Sequence, residues 1–166
     1  MVSATFTGMI ITGFEDALDS MVVLTAFIPM LMGTGGNSGS QSSVTVIRAL
    51  SLDELRFGDL PLVIWKEIRT AVLCGAALAL VCFAKIWFVD RMLLGNEGIT
   101  LMVDAVVCLA LFATVLVSKL VGAVLPLGAK ALGLDPAVMA SPFITSIVDA
   151  LSLLVYFLFA RLLLGV

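Results

Sequence analysis

Residues 141–166 read SPFITSIVDALSLLVYFLFARLLLGV, an apolar run that carries one carboxylate, Asp149, near its middle. About 20 predominantly apolar residues suffice for a helix to cross the hydrocarbon core of a bilayer, and this run supplies them. An acid at that depth is costly, and by default it points to a bundle interior or a water-filled path. At about 100° per residue, Thr145, Tyr156 and Pro142 fall within about 40° of Asp149, and Ser146 and Ser152 within about 60°. The polar residues of the run thus share a face. Asp135 falls near the same azimuth, about 21 Å away if one straight helix joins the two acids. The motif LDPAV also suits Asp135 as a helix N-cap with Pro136 at the first helical position. Pro142 has no N–H to give, so it would leave the carbonyl of Val138 free.

The whole chain agrees with a membrane setting. Its 166 residues are 61% hydrophobic and 13% charged, with a mean hydropathy of +1.21. Soluble domains hold about 25% charged residues, so this composition defines an integral membrane protein. Four further apolar segments precede the last one. They are a short first span (residues 2–14), a second (17–50) broken by Pro29 and a glycine cluster, a third (61–89) and a fourth (99–125). The last span is expected over 137–164. The fold class predicted is an all-α bundle of five transmembrane helices per subunit, the first one shortened, and residues 1–166 read as a single transmembrane pore domain.

Orientation follows from the basic residues. If the ends of spans 2 and 4 face the cytoplasm, that side receives Arg48, Arg56, Lys66, Arg69, Lys119 and Lys130, against Lys85, Arg91 and Arg161 outside. The positive-inside rule then predicts a cytoplasmic N-terminus, an external C-terminus, and a multi-pass protein of the cell inner (plasma) membrane. The outer side is acidic, with Glu15, Asp16, Asp19, Asp90 and Glu97, a mouth that would concentrate cations. Lys85, Asp104 and Lys119 lie within a turn or two of span ends, where side chains are expected to snorkel to the interface.

Several functions are excluded or disfavoured. A net charge of −3 without a basic run argues against a nucleic-acid partner. The absence of histidine removes Ser-His-Asp and Cys-His nucleophilic catalysis and the usual transition-metal ligand. The reading is therefore not an enzyme. Cys74, Cys82 and Cys108 sit in apolar runs with no Cys-x-x-Cys pair and read as small buried hydrophobes.

Any metal must then meet oxygen, which suits hard cations such as Mg²⁺ or Ca²⁺. One aspartate is too few for a dehydrated divalent ion, but a homodimer with its pore on the two-fold axis would supply two copies of Asp149. The second span holds PMLMGTGGNSGSQSS, in which Asn37, Ser38, Ser40 and Gln41 would be costly against lipid. It reads either as a flexible loop or as a discontinuous helix lining the pathway, with close packing at Gly33, Gly35, Gly36 and Gly39.

Two stretches, FIPMLMGTGGNSGSQSSVTVIRALSLDEL (27–55) and LPLGAKALGLDPAVMASPFITSIVDALSLLVYF (125–157), resemble the transmembrane domain of the MgtE family of magnesium channels and transporters, with its eukaryotic solute-carrier relatives. The resemblance implies a homodimer embedded in lipid that conducts hydrated Mg²⁺ down its gradient. It implies that Asp149 holds the ion at the central selectivity site with the backbone carbonyl of Thr145. It further implies that Asp135 lies at the cytoplasmic mouth, with Ser141 as a further ion contact. Asn37 would lie in the pore-lining motif, where Gln41, Gly36, Pro142 and Ser146 are also expected to line the path. The cytoplasmic N-terminal and CBS sensor domains typical of bacterial members are not expected in this chain. Two alternatives remain open: a proton- or sodium-coupled carrier of another divalent cation, and a non-transporting membrane assembly subunit.

Overall fold

Helix α1 (Val2–Gly13) is apolar but only about 18 Å long, well short of a hydrocarbon core about 30 Å thick. The computed structural model describes residues 2–96, 98–139 and 141–165, with side-chain surroundings for all of these except residues 2–4, 16, 17, 20, 139 and 141. Among the described residues every regular element is helical. After α1 come a short α2 (Glu15–Ser20) and a 3-10 turn (Val22–Phe27), then α3 (Ile28–Ser51). A 3-10 turn (Phe57–Asp59) leads into α4 (Leu60–Lys85), which continues as a π-helical segment to Leu93. Next come α5 (Leu101–Ala131), a 3-10 turn (Pro136–Met139) and α6 (Ser141–Leu164).

Among the described residues three helical stretches are both long and apolar enough to span a bilayer: Phe57–Leu93, Leu101–Ala131 and Pro142–Leu164. With 24 residues, α3 has the length for a crossing, about 36 Å. Its glycines and serines keep it from the apolarity of the others. The molecule is thus an all-α membrane protein.

Several boundaries differ from the sequence reading: α5 runs on to Ala131, past the expected end at residue 125, and the stretch begun by α4 reaches Leu93. The glycine cluster does not interrupt the second span, because α3 runs unbroken through it. Pro29 sits in the first turn of α3, where its fixed φ suits a helix start and its missing N–H would have no partner anyway. The break falls upstream, in the 3-10 turn. A glycine in a helix costs about 1 kcal/mol relative to alanine, but close approach of two backbones offsets it. A Cβ at Gly122 of α5 would collide with the carbonyl oxygen of Gly39, and one at Gly35 would meet Ser152 Oγ at 2.5 Å and Thr114 Cγ2 at 2.9 Å. The cluster therefore makes the contact surface of α3.

The last span also begins later than expected. The described chain passes Asp135 into a 3-10 turn, and α6 starts at Ser141. Pro142 is consequently the second residue of α6, where no intrahelical donor is lost. Asp135 and Asp149 do not lie on one continuous helix, so a single-helix azimuth does not relate them.

Helix α5 lies at the centre, packed against α3, α4 and α6. Val103, Val106, Val107, Ala110, Val115 and Ala123 are fully buried along it. Helix α4 covers one side and turns Leu62, Leu73, Leu80 and Val81 outward, with Leu73 74% exposed, as expected of a lipid-facing wall. Helix α1 packs against α6, where Phe14 stacks on Phe157 with ring centroids 4.6 Å apart. Beside it the Tyr156 hydroxyl donates to the Leu24 carbonyl at 2.9 Å, which secures the 3-10 turn to α6.

Candidate cation site

Asp149 projects from the middle of α6 and is half-buried. What lies against it is the backbone of α3. A Cβ placed on Gly36 would sit 3.5 Å from Asp149 Oδ1 and 3.4 Å from Thr145 Cγ2. Gly36 lets the main chain of α3 form a wall beside the carboxylate, and any larger residue would fill that space. No hydrogen bond or ion pair ties the Asp149 carboxylate to another described residue. A carboxylate in an apolar helix is costly without a partner, and among the described residues this half-buried group keeps its capacity to accept hydrogen bonds. Among the described residues no group of three or more Cys, Asp or Glu side chains comes together to hold a metal ion.

The other residues expected to line the path differ in exposure. Asn37 and Gln41 of α3 and Pro142 of α6 are exposed, Thr145 and Ser146 are half-buried, and Gly36 is buried. The Thr145 and Ser146 hydroxyls both donate to the Pro142 carbonyl, at 3.1 and 2.8 Å. This occupies the two hydroxyls within the first turns of α6. The side chain of Ser141 lies outside the described residues.

Asp135 stands apart from this group. Its Oδ1 accepts from the Ala137 N–H at 2.9 Å, so it caps the 3-10 turn rather than α6 itself. It is exposed beside an open notch that Lys130, Gly133, Leu134 and Pro136 also line. The preceding helix ends on Gly133 at φ 73°, with Leu134 N–H donating to the Ala129 carbonyl at 2.9 Å and Gly133 N–H to that of Lys130 at 3.1 Å. This is a Schellman closure, and it fixes the direction in which the chain leaves toward Asp135.

Two residues expected on the Asp149 face are elsewhere. Tyr156 and Ser152 are buried, Tyr156 under the 3-10 turn and Ser152 against Gly35, with its hydroxyl donating to the Val148 carbonyl at 2.6 Å. The 3-10 turn covers Tyr156 and α3 covers Ser152, which the azimuths on α6 alone do not reveal.

The charges expected to snorkel also divide. Lys85, 49% exposed, pairs with Asp90 at 2.6 Å. Asp104 does not snorkel. It is fully buried, its Oδ1 accepts from the Cys108 thiol at 3.3 Å, and its Oδ2 has no partner. Lys119 is also buried. Its Nζ lies 3.7 Å from Glu67 Oε2 and donates to Ser42 Oγ at 3.4 Å, while Ser42 donates to that same Glu67 oxygen at 2.6 Å. Nothing in the local sequence announces this three-helix cluster, because its members are 25 and 52 positions apart along the chain. Cys82 and Cys108 are buried as expected, whereas Cys74 is exposed. At the expected acidic mouth, Glu15 and Asp19 are exposed, while the Asp16 side chain and Glu97 lie outside the described residues.

Fold and site together define a helical integral membrane protein in which Asp149, tied to no other described residue, lies against a glycine-lined helix. Residues 28–159 match the family model MgtE, described as divalent cation transporter, and the chain belongs to that family. It is 38% identical over 151 residues to the magnesium transporter MgtE of Bacillus subtilis, covering 91% of this chain and 32% of the relative. It is 37% identical over 159 residues to the magnesium transporter MgtE of Thermus thermophilus, covering 95% of this chain and 33% of the relative. The chain thus spans about a third of the length of these relatives.

Proposed function

We propose that this chain is the membrane-embedded part of a magnesium transporter, acting as a two-fold dimer whose subunits meet across their Asp149-bearing faces. The observation that carries the reading is Asp149 itself, half-buried against the Gly36 backbone and tied to no described residue. Two carboxylates facing each other across an axis would balance a divalent charge that one cannot. Mg²⁺ releases its waters reluctantly and usually touches only one or two carboxylates. A hydrated ion would therefore suit a path in which Asn37, Gln41, Ser146 and the Thr145 carbonyl bond to its waters. Asp135, with Ser141, would lie on the cytoplasmic approach. The names of the relatives favour Mg²⁺ over other hard cations.

The dimer would sit in the cell inner membrane with its N-terminus in the cytoplasm, a reading that the distribution of basic residues supports. A helix-tying role for Asp149 is disfavoured because no hydrogen bond or ion pair joins it to another described residue. The test is Mg²⁺ influx into liposomes carrying the purified chain, under an imposed Mg²⁺ gradient. Asp149→Asn should abolish influx while the protein stays dimeric and folded. Undiminished influx through a correctly inserted Asp149→Asn dimer would overturn the proposal. An influx that follows an imposed pH or sodium gradient instead of the Mg²⁺ gradient would replace the channel with a coupled carrier.

A further inference from the structure

The contact face of α3 is unusually smooth. Gly35, Gly39 and Ser42 recur at helical spacing on one side, and the two glycines meet α5 and α6 with no side chain of their own. Helices normally fix their mutual rotation by side chains of one seated between side chains of the other. Apart from the buried Leu31 at one end of α3 and Val46 and Leu50 at the other, the glycine stretch beside Asp149 offers few such features, so a further contact can set its rotation there. One turn beyond Gly39, Ser42 donates to Glu67 of α4 at 2.6 Å and accepts from Lys119 of α5 at 3.4 Å. All three residues are buried, Ser42 at 2%, Glu67 at 6% and Lys119 at 8% exposure. In such surroundings a hydrogen bond to a carboxylate is short, directional and strong.

A buried ion pair is weak evidence for stability, since desolvation of both charges can exceed their attraction, but it can specify one arrangement among several. Here the arrangement has a consequence at the ion site. Gly36 is next to Gly35 on α3, and its missing Cβ would lie 3.5 Å from Asp149 Oδ1. A small rotation of α3 about its axis changes that gap directly and carries Asn37 with it.

We propose that the Ser42–Glu67–Lys119 cluster is a positioning device, setting the rotation of α3 and through it the spacing between the glycine backbone and Asp149. The proposal rests on the reading of Asp149 as the ion site. Glu67 and Lys119 do not touch the ion; they act through Ser42 and α3.

The experiment is Mg²⁺ influx into liposomes containing the full chain, measured per folded protein over a range of Mg²⁺ concentrations. Thermal unfolding is followed in parallel. Ser42→Ala cuts the link to α3 but leaves the ion pair, and Glu67→Gln/Lys119→Met replaces the pair by uncharged groups of similar shape. Both should raise the half-saturating Mg²⁺ concentration by about three- to tenfold, the range that one hydrogen bond commands. Lys119→Arg, which keeps the charge and a donor, should stay within about twofold of wild type. A purely structural cluster would shift the unfolding temperature and leave half-saturation per folded protein unchanged. Unchanged half-saturation in Ser42→Ala would therefore overturn the proposal, even if the double variant fails to fold. Asp149→Asn, run alongside, separates the two ideas. If it leaves influx intact, the ion-site reading falls; if it abolishes influx while Ser42→Ala behaves as wild type, only the positioning role falls.

Discussion

Glu67 and Asp149 are both carboxylates carried on apolar helices, and their surroundings are opposite. Glu67 is buried against Lys119 at 3.7 Å and a serine hydroxyl at 2.6 Å, with its charge answered inside the chain. Asp149 is half-buried beside glycine backbone and answered by no described residue. A paired acid holds helices in place, whereas an unpaired one with an open side is available to a ligand. The contrast lies in what surrounds each acid, and residue type alone does not reveal it.

The sharpest way to break this comparison is to neutralise each acid's side of it. Asp149→Asn should leave thermal stability close to wild type and lower Mg²⁺ influx by on the order of 100-fold, the cost of removing charged ligands from a low-dielectric site. Lys119→Met should instead act first on stability, because Glu67 is left buried without its partner. A loss of about 3–5 kcal/mol is expected, readable as a lowered unfolding temperature and reduced monodisperse yield. If Lys119→Met proved as stable as wild type, Glu67 would not be the paired member of the contrast.

Smaller effects sharpen the picture of what positions the two acids. Gly122→Ala would drive a methyl group into the Gly39 carbonyl, separating α3 from α5 at a cost of about 1–3 kcal/mol. Thermal unfolding of the variant measures it. Tyr156→Phe removes only the hydroxyl bond to the Leu24 carbonyl, and should cost about 0.5–1.5 kcal/mol. Faster amide exchange confined to residues 22–27 would mark its loss. On the outward wall, Leu73→Ala should change stability by no more than about 0.5 kcal/mol, and a larger loss would mean that this face packs against protein.

The helical membrane class was legible in the sequence because it depends on composition and run length, which are local. Asp149 stood out in the sequence for the same reason, as an acid inside an apolar run, and the structure places it half-buried on α6. The continuity of α3 was not, since glycine propensity speaks for isolated helices and the structure uses those glycines for backbone contact. The snorkelling expected of Lys119 and Asp104 failed because distance from a helix end says nothing about what packs alongside. Tyr156 shared an azimuth with Asp149, yet the 3-10 turn covers one and leaves the other open. The Ser42–Glu67–Lys119 cluster joins three helices across long sequence separations, and local spacing carries no signal for it.

The meeting of Gly39 and Gly122 has a consequence for how this fold can vary. Where two main chains touch without side chains between them, no rotamer can shift to make room and no smaller residue exists to substitute. A saturation library across the molecule should therefore be sharply uneven. The outward wall of α4 should accept almost any apolar residue, while Gly122 should accept none but its own.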